Sequence, residues 1–567
     1  MLALTKQVFK EKQMDNKKLA DLLYPEAKSV DFWFERYKPR NLPKGAEVTR
    51  FAPSPTGFLH IGGLFGALVD ATIARQTNGV CYLRIEDTDQ KRKVKNGVEG
   101  IIDSFRMFDV GFNEGKLSMD NEVGDYGPYV QSNRREIYKS FAKEMVLRGK
   151  AYPCFCSEDE LNNLREQQMA KKLNPGYYGQ YAKCRNLSYE QIADNIKAGK
   201  PWVLRFRCPY TQDDKIETND LVRGNRIIPC NYNDVVIMKS NNLPPYNFAH
   251  VVDDTLMHTT LVVRSDEWFP SFTEHLQLFE ALGLTPPKYA HTSAMQKIDE
   301  QTNERRKISK RKDPEANVAF FVEQGYPVEA IFDYLMIIAN SNFEDWRAQN
   351  PKANISEFKF DISKLNTSGA LFDMVKLSDV SKNTISNMTG QQVFDAVSSW
   401  ASRFDTDFYK LLSQNKDYYT QILNIDRDIP KPRKDISHWA EVRTMYEYMF
   451  DDVFDNLNFA FPEKFSNAQI IEVLQNYPNY FNPTDDQTQW FGRIKDLAEY
   501  IGWAREVKLF KQQPDLYPGH CGDVSTILRV ALTGRTMTPN LYNICMLLGK
   551  DRIEYRLNKV LNKLKTA

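Results

Sequence analysis

Two groups of residues, far apart in the chain, have the chemistry needed to bind and activate a nucleotide. The first is the stretch RFAPSPTGFLHIGG at residues 50–63. Its prolines and glycine predict a tight loop, and His60 and the glycines after it stand where a helix would begin. Free amide groups at a helix N-terminus attract phosphate, glycine lets a nucleotide approach the backbone, and His60 could stabilise charge on a phosphate in a transition state.

The second group is the segment Lys307–Arg311 (KISKR), in which two lysines stand three positions apart in a polar loop. Such a loop could neutralise a triphosphate and stabilise the α-phosphate during an in-line displacement. Taken alone, each group is more typical of another role: His60 of a helix-capping or core histidine, and the lysines of a solvated or targeting cluster. Their combination is what favours nucleotide chemistry.

The elements around these groups would have to bring them together. Strand-like EVTRF precedes the first loop, a helix is predicted from about Ile61 to Arg75, and strand-like VCYLRIE follows. This succession is typical of a parallel α/β unit. The pattern is interrupted over residues 149–243 and resumes with YNFAHVVDD and TTLVVRSDEW. After Asp313 it gives way to amphipathic helices such as VEAIFDYLMIIAN and DRIEYRLNKVLNKL.

Composition limits the class of protein. A chain of 567 residues exceeds what one hydrophobic core supports, so several domains are expected. Lys plus Arg (75) nearly equal Asp plus Glu (74), so any polyanionic partner must be bound by local basic patches. The N-terminus lacks the apolar core of a signal peptide, no apolar run is long enough for a membrane span, and the eight cysteines are sparse. We therefore expect a cytoplasmic protein with reduced thiols and no membrane partner.

Together the two groups resemble a known family. PSPTGFLHIGG and KISKR, in this order around an interrupting segment, resemble the two signatures of class I aminoacyl-tRNA synthetases. RFAPSPTG, the Gly63 that replaces the second His of the first signature, LRIEDTD and KISKR resemble the bacterial type of the glutamyl branch. The resemblance covers about residues 46–385 and returns in LRVALTGRTMTPNLYNICMLLGKD, while the first 45 residues resemble no family that we can name.

The resemblance implies an α/β Rossmann-like catalytic domain with an inserted α+β acceptor-binding domain, followed by an all-α C-terminal anticodon-binding region. The expected domains are an N-terminal extension (1–46), the first half of the catalytic domain (47–148), the inserted connective domain (149–243), the second half with the KISKR loop (244–312), a stem-contact helical domain (313–385) and a helical anticodon-binding domain (386–567). Polar loops of the last domain, including Arg529 and Thr533–Thr536, are candidates for contacts with anticodon bases.

The resemblance also implies an enzyme that uses ATP with Mg²⁺ to convert glutamate to glutamyl-adenylate and transfers the amino acid to the 3′-terminal ribose of tRNA(Glu). Positioning and charge stabilisation would supply the rate, since neither step needs a side-chain nucleophile. The family pattern carries over three sets of residues. The catalytic set is His60, Lys307 and Lys310; the ATP-binding set is His60, Gly62, Glu267, Trp268 and Lys310; the glutamate-binding set is Arg50, Ala52, Ser54, Glu86, Tyr246, His250 and Arg264.

The glutamate-binding set agrees with the chemistry of a dicarboxylic amino acid. Arg50 and Arg264 could form charge-assisted hydrogen bonds with two carboxylates. Glu86 could bind the substrate ammonium. His250 stands where the family has an asparagine. Without the resemblance, the pair Glu267-Trp268 would fit a structural role equally well.

The inserted segment contains a candidate metal site. Its cysteines, Cys154, Cys156 and Cys184, resemble a family pattern in which a histidine two residues after the third cysteine completes a zinc site. Asn186 stands at that position. Because structural zinc normally has four good ligands, we predict no bound metal, although Tyr178 or Tyr181 could replace the missing ligand.

Other functions stay open at this level. In the glutamine branch of the family the first signature usually resembles PEPNGYLHIGH, whereas PSPTGFLHIGG stands here. That branch also has a β-barrel at the C-terminus, where helices are predicted for this chain. A glutamyl-transferring tRNA-modification enzyme would lack the chain after about residue 313, and a nucleotidyltransferase for small substrates needs no helical extension. A non-catalytic RNA-binding descendant would not need intact His60, Glu86 and Lys310. We expect a monomer, and the sequence does not decide whether tRNA(Gln) is also a substrate.

Overall fold

The computed structural model describes residues 15–366 and 369–566, and its chain divides into two units. The first unit is Met1–Phe320 with Phe332–Asp373, and the second is Phe321–Ile331 with Met374–Ala567. Residues 1–14 of the expected N-terminal extension lie outside the described residues. The finer domain boundaries expected from the sequence stay a prediction.

Parallel strands form the centre of the first unit. The strands, in chain order, are β1 (Val48–Phe51), β2 (Val80–Leu83), β3 (Glu114–Gly115), β4 (Ala151–Cys154), β5 (Val203–Phe206), β6 (Lys215–Asp220), β7 (Gly224–Pro229), β8 (Val236–Met238), β9 (Leu261–Ser265), β10 (Lys288–Thr292), β11 (Met295–Ile298), β12 (Arg305–Lys307) and β13 (Ala370–Leu371). β1, β2 and β3 pair in parallel, with Val48 opposite Val80. β9 and β10 also pair in parallel. β9 follows directly on Thr260, whose N–H donates to the carbonyl of Val48 at 3.0 Å, so β9 lies beside β1.

The helix Ile61–Gln76 connects β1 to β2 and is buried along most of its length. It packs against the strands on one side and against the turn at Pro314–Ala316 as well, so it carries apolar residues on most sides. The sequence-based predictions of this helix and of the two strands beside it are confirmed. The other α-helices of this unit are Val30–Arg36, Gly97–Phe108, Arg135–Leu147, Glu158–Ala170, Tyr189–Lys197, Tyr246–Leu256, Phe272–Leu282 and Phe343–Gln349.

The segment between β3 and β9 mixes helices with antiparallel strands. β4, β5 and β8 form an antiparallel sheet, and β6 and β7 form a hairpin that reaches β10 through the pair Asp220 and Tyr289. Capping boxes begin two of its helices, one at Ser157 with Glu160 and one at Ser188 with Gln191. The structure confirms the mixture of helices and antiparallel strands that was expected for the interrupting segment.

The described part of the N-terminal extension packs on this unit. Residues 15–23 are helical, and the indole N–H of Trp33 in the next helix donates to the hydroxyl of Ser140 at 2.8 Å. Arg40 forms a bidentate pair with Glu114, at 2.7 and 3.0 Å. Trp33 also belongs to the same hydrophobic core as helices Arg135–Leu147 and Tyr246–Leu256. These contacts make residues 15–46 an integral layer of the unit.

The second unit is helical, as expected from the amphipathic pattern. Its α-helices after residue 373 are Met374–Ser386, Gly390–Phe404, Thr406–Gln414, Lys416–Asn424, Ala440–Tyr446, Asp451–Phe454, Asn467–Asn476, Gln487–Tyr500, Val507–Gln512, Cys521–Thr533 and Leu541–Thr566. Helices Val318–Gln324 and Val328–Ala339 contain residues of both units. Among residues 374–566 there is no strand, and one hydrophobic core joins the helices. No helix of the described chain combines the length and apolar character that crossing a membrane requires.

Candidate active site

A cleft of about 970 Å³ opens in the first unit where β1, β2, β9 and β10 end. In parallel α/β sheets, ligands bind at the carboxyl ends of the strands, beside the point where the strand order reverses. The predicted site residues that line this cleft are Arg50, Ala52, Ser54, His60, Gly62, Glu86, Tyr246, Arg264, Glu267, Trp268, Lys307 and Lys310. The structure therefore brings both sequence motifs to one cavity. His250 alone of the predicted set does not line it.

His60 joins the two motifs. It is the N-cap of helix Ile61–Gln76, and its Nδ1 accepts a hydrogen bond from the N–H of Gly62 at 3.0 Å. Burial and the nearby charges of Lys310 and Lys307 lower the pKa of His60, although a hydrogen bond with the backbone of Ile308 opposes this. The helix-capping interpretation of His60 is thus correct, and the same residue also lines the cleft.

The two lysines of KISKR lie against the first motif and the opposite wall of the cleft. The Nζ of Lys310 donates to the carbonyl of Phe58 at 3.0 Å and lies 4.8 Å from the centre of its ring. Burial lowers the pKa of Lys310. Lys307 forms an ion pair with Glu267, which follows β9. A ligand with several phosphates would find both ammonium groups within one cavity.

Ionic contacts of the buried Asp313 hold the KISKR segment in place. Asp313 accepts from both terminal nitrogens of Arg306, at 2.6 and 2.7 Å, and from the N–H of Ser309 at 2.7 Å. Lys297 lies 3.3 Å from the same carboxylate. These positive partners keep the pKa of Asp313 well below its ordinary value, with Arg306 as the largest cause. The segment is therefore fixed at its C-terminal end.

A second network of buried charges supports the floor of the cleft. Arg84 donates to Asp254 at 2.6 Å and to Glu86 at 3.0 Å, and Arg50 lies 3.4 Å from Asp254. Burial raises the pKa of Glu86 to about 7, although the positive charges of Arg84 and Arg50 oppose it. Sequence reasoning missed Arg84 and Asp254. Charged residues inside the apolar stretches VCYLRIE and FAHVVDDTL were the available signal.

Arg264 is 8% exposed and has neutral partners only. Its Nε donates to His291 at 2.9 Å, and its Nη1 lies 3.1 Å from His275. Nη2 is buried and has no hydrogen-bond partner. Tyr246 lies beside this guanidinium, at 3.4 Å from Nη1. Sequence reasoning missed both histidines, since no motif marks them.

His250 is fully buried behind Tyr246, with 5.6 Å between the ring centres. Its Nδ1 lies 2.8 Å from Asp254, and its Nε2 lies 2.9 Å from the hydroxyl of Tyr289. Burial lowers the pKa of His250 to about 4, and Asp254 opposes the shift. The histidine therefore supports the cleft wall from behind. The structure does not bring it to the surface where the sequence pattern placed it.

Two further residues of the cleft had not been predicted. The amide of Gln131 donates to Asp253 at 2.9 Å and lies 3.5 Å from Glu86. Lys239 donates to the carbonyl of Thr88 at 2.7 Å. Both come from segments outside the two motifs, so spacing in the sequence did not reveal them.

The three cysteines of the interrupting segment do meet, as ligands of one metal ion would have to. The sulfurs of Cys154, Cys156 and Cys184 lie within 4.8 Å of one another. The hydroxyl of Tyr177 lies 3.4 Å from the first sulfur and 3.3 Å from the second. The tyrosine beside the thiols is therefore Tyr177, and not Tyr178 or Tyr181. Together the four side chains offer four atoms that could act as metal ligands.

Comparisons with known proteins show the family to which the chain belongs. The family model described as "tRNA synthetases class I (E and Q), catalytic domain" matches residues 47–379, and one described as "Anticodon binding domain" matches residues 520–561. A glutamate–tRNA ligase from Acetivibrio thermocellus is 44% identical over 550 residues, which are 97% of this chain and 100% of that protein. One from Sorangium cellulosum is 40% identical, covering 93% of this chain and 96% of its own length.

A solved structure gives the same result for the fold. A crystal structure of a glutamate tRNA ligase from Elizabethkingia meningosepticum, in complex with its amino acid, superposes with a TM-score of 0.74 at 25% identity, covering 92% of this chain and 100% of that one. The expected combination of a class I catalytic domain and a helical C-terminal region is confirmed. Since the catalytic-domain model matches more than half of the chain and relatives at 40–44% identity match nearly all of it, the chain belongs to the glutamate–tRNA ligase family of class I tRNA synthetases.

Proposed function

We propose that this chain activates glutamate with ATP and attaches it to the 3′-terminal ribose of tRNA(Glu). One observation carries the proposal: the two lysines of KISKR, His60 and the two arginines expected for a dicarboxylic substrate all line one cleft. The names of the relatives support it, as does the helical C-terminal region, since the glutamine branch would have a β-barrel there.

In the first step, an oxygen of the glutamate α-carboxylate attacks the α-phosphorus of ATP. A bond forms between that oxygen and phosphorus, the bond to the bridging oxygen breaks, and pyrophosphate leaves with the electron pair. His60 and Lys310, which line the same cleft, would stabilise the negative charge that builds on the phosphate oxygens. Mg²⁺ bound with ATP would neutralise further phosphate charge.

In the second step, the terminal 2′-hydroxyl of the tRNA attacks the carbonyl carbon of glutamyl-adenylate, and AMP leaves as the ester forms. The hydroxyl proton can pass to the departing phosphate. The chain need supply no nucleophile, so its task is to orient the adenylate and the ribose.

Glutamate recognition would rest on charge. Arg50 and Arg264 are both nearly buried, which strengthens an ionic contact with a carboxylate. Glu86, 8% exposed, would face the ammonium group, which would favour its ionised form. Ala52, Ser54 and Tyr246 line the same cleft and would complete the glutamate site, while Gly62, Glu267 and Trp268 would contact the nucleotide.

The cysteine cluster fits a structural zinc ion, held by the thiolates of Cys154, Cys156 and Cys184 and the oxygen of Tyr177. Such an ion would cross-link β4 to the helical turns around Cys184. The prediction of a metal-free site rested on Asn186, a poor zinc ligand, at the fourth position, and Tyr177 would have to replace that ligand. A cytoplasmic location and a monomeric state remain predictions.

Aminoacylation of purified tRNA(Glu) and tRNA(Gln) in parallel, with radioactive glutamate, tests the proposal. We expect ATP-dependent esterification of tRNA(Glu) that periodate oxidation of the tRNA abolishes. Charging of tRNA(Gln) alone, or with glutamine in place of glutamate, would contradict the proposed specificity. Failure to charge any tRNA while ATP is bound would contradict the activity itself.

A further inference from the structure

Arg264 differs from the other buried arginines of the cleft in its partners. Arg84 donates directly to a carboxylate, Asp254, and Arg50 lies near the same group. Among the described residues, no carboxylate pairs with Arg264, and two imidazole nitrogens occupy its Nε and Nη1 edges. Arg264 lines the cleft, and its Nη2 is buried without a hydrogen-bond partner.

The hydrogen bonds around His291 fix which of its nitrogens carries the proton. A guanidinium only donates, so the Nε2 of His291, 2.9 Å from the Nε of Arg264, must be an unprotonated acceptor. The Nδ1 lies 2.7 Å from an oxygen of Asp220, which only accepts, so Nδ1 carries the hydrogen. His291 is therefore neutral. Its position is set by strand pairing, since His291 stands opposite Arg264 where β9 and β10 pair.

His275 satisfies the same conditions with its nitrogens exchanged. Its Nδ1 lies 3.1 Å from the Nη1 of Arg264 and must accept. Its Nε2 donates to the side-chain oxygen of Asn247 at 2.8 Å. Asn247 is itself oriented, because its amide nitrogen donates to Glu274 at 2.6 Å. Every hydrogen bond in the chain that runs from Asp220 through the two histidines and Arg264 to Glu274 therefore joins one donor to one acceptor.

The surroundings keep both rings neutral. The charged and titratable groups that face them are Asp220, Arg223, Tyr246, His250, Asp254, Arg264, Glu274 and Tyr289. Burial lowers the pKa of His275 well below its ordinary value, and the charge of Arg264 adds to the shift. Burial also lowers the pKa of His291, although Asp220 opposes it. Protonation of either ring would replace an acceptor by a donor and place two positive charges side by side.

We propose that His275 and His291 are positioning residues that hold Arg264 through neutral acceptors and so keep its positive charge for a carboxylate of the amino-acid substrate. A carboxylate in either place would hold the guanidinium equally well but would neutralise it. Neutral acceptors fix the Nε and Nη1 edges of the guanidinium and leave its Nη2 without a hydrogen-bond partner inside the protein. The inference rests on the proposed function, because it assumes that a carboxylate substrate meets Arg264.

Pairs of variants with the same shape and different charge test the proposal. His275→Asn places a neutral oxygen near the position of Nδ1, and His275→Asp places a charged one there. Glutamate KM in ATP–pyrophosphate exchange with tRNA present should be at least about tenfold higher for the aspartate variant. The KM for ATP should agree within about twofold. For His291, whose Nε2 is the acceptor, Gln and Glu form the corresponding pair.

His258→Gln is the matched control, because this histidine contacts the carbonyl of Tyr37 and does not line the cleft. Its glutamate KM should equal that of the unchanged protein. Equal glutamate KM for His275→Asn and His275→Asp would overturn the inference. An unchanged protein that charges no tRNA would contradict the proposed function instead.

A measurement on the unchanged protein covers the case in which the charged variants do not fold. With ¹⁵N-labelled histidine, we expect the resonances of His275 and His291 to show one protonated nitrogen each at about pH 6, Nε2 in His275 and Nδ1 in His291. Single His→Asn and His→Gln variants assign the signals. A doubly protonated ring, or the opposite tautomer at either position, would overturn the inference.

Discussion

Glu86 combines deep burial with two positively charged neighbours, and these act in opposite directions on its ionisation. Burial raises its pKa to about 7, while Arg84 and Arg50 favour the carboxylate. Only the ionised form can make a charge-assisted bond to an ammonium group. In the free protein near neutral pH, both forms of Glu86 are therefore populated, and an ammonium ligand would select the ionised one.

Glu86→Gln should weaken glutamate binding, because an ionic hydrogen bond becomes a neutral one. We expect glutamate KM to rise by about 10–100-fold, with ATP KM little changed. In the unchanged protein, kcat/KM for glutamate should fall as pH drops through about 7, since protonation removes the carboxylate. The glutamine variant should lose this dependence. If both proteins show the same pH profile, Glu86 does not bind the ammonium group.

Lys310→Ala should slow glutamyl-adenylate formation, because the ammonium group that would stabilise charge on the α-phosphate is removed. Pyrophosphate exchange should fall at least about 100-fold, while filter binding of tRNA stays unchanged. Lys312→Ala is the control, since Lys312 is exposed in the same segment and does not line the cleft. An unaffected exchange rate for Lys310→Ala would exclude the proposed role.

At the scale of elements, the KISKR segment shows how a polar loop is held in one place. Asp313 receives two bonds from Arg306 and one from the backbone of Ser309, and it is 4% exposed. On the other side, Lys310 contacts the carbonyl of Phe58 in the first motif. The loop is thus fixed by side-chain contacts at both sides, and only its first residue, Lys307, belongs to a strand, β12.

Asp313→Asn should loosen this segment, because the amide keeps the size of the side chain and loses its charge. We expect ATP KM to rise by about tenfold and the segment to become more sensitive to trypsin, with tRNA affinity unchanged. Glu300→Gln, at an exposed position nearby, should change neither property. Unaltered ATP KM and trypsin sensitivity would show that the Asp313 contacts do not hold the loop.

The cysteine cluster joins the end of β4 to the turn around Cys184. If zinc is its occupant, purified protein should contain about one equivalent, and Tyr177→Phe should weaken the metal more than Tyr178→Phe. Metal analysis and competition with a chromogenic chelator measure both. Removal of the metal should lower the thermal stability of the interrupting segment. Metal-free protein, purified without chelator, would support the prediction made from the sequence.

At the scale of the whole molecule, buried histidines link stability to pH. His250 has a pKa of about 4 in the folded protein because burial disfavours its charged form, against 6.5 for an ordinary histidine. Above pH 6.5 the ring is neutral in both folded and unfolded states. As pH falls below 6.5, the unfolded chain binds a proton that the folded chain does not, so the free energy of unfolding decreases.

This linkage predicts a loss of about 2 kcal/mol of stability between neutral pH and about pH 5 from His250 alone. His250→Asn removes the titrating group and should lose less stability over the same interval, whatever its stability at neutral pH. Urea denaturation followed by tryptophan fluorescence at the two pH values measures the difference. Equal losses in both proteins would show that His250 is not neutral in the folded state.

The sequence by itself determined the family, the class of fold and twelve of the residues that line the cleft. PSPTGFLHIGG and KISKR specify loop and helix-start chemistry through neighbouring residues, and apolar periodicity specified the strands and the C-terminal helices. Such features are local, so the order of residue types is enough to predict them. Arg50, His60, Arg264 and Lys310 all line the cleft that these features imply.

Only the tertiary structure decided which side chains become partners. It placed His250 behind Tyr246, brought His275 and His291 to Arg264, and chose Tyr177 over its two neighbouring tyrosines for the thiol cluster. These contacts join residues from different strands and helices, and they depend on register and packing, which no short motif records. The physical reason is that a hydrogen bond requires a distance of about 3 Å, whereas sequence spacing fixes distances only within one element.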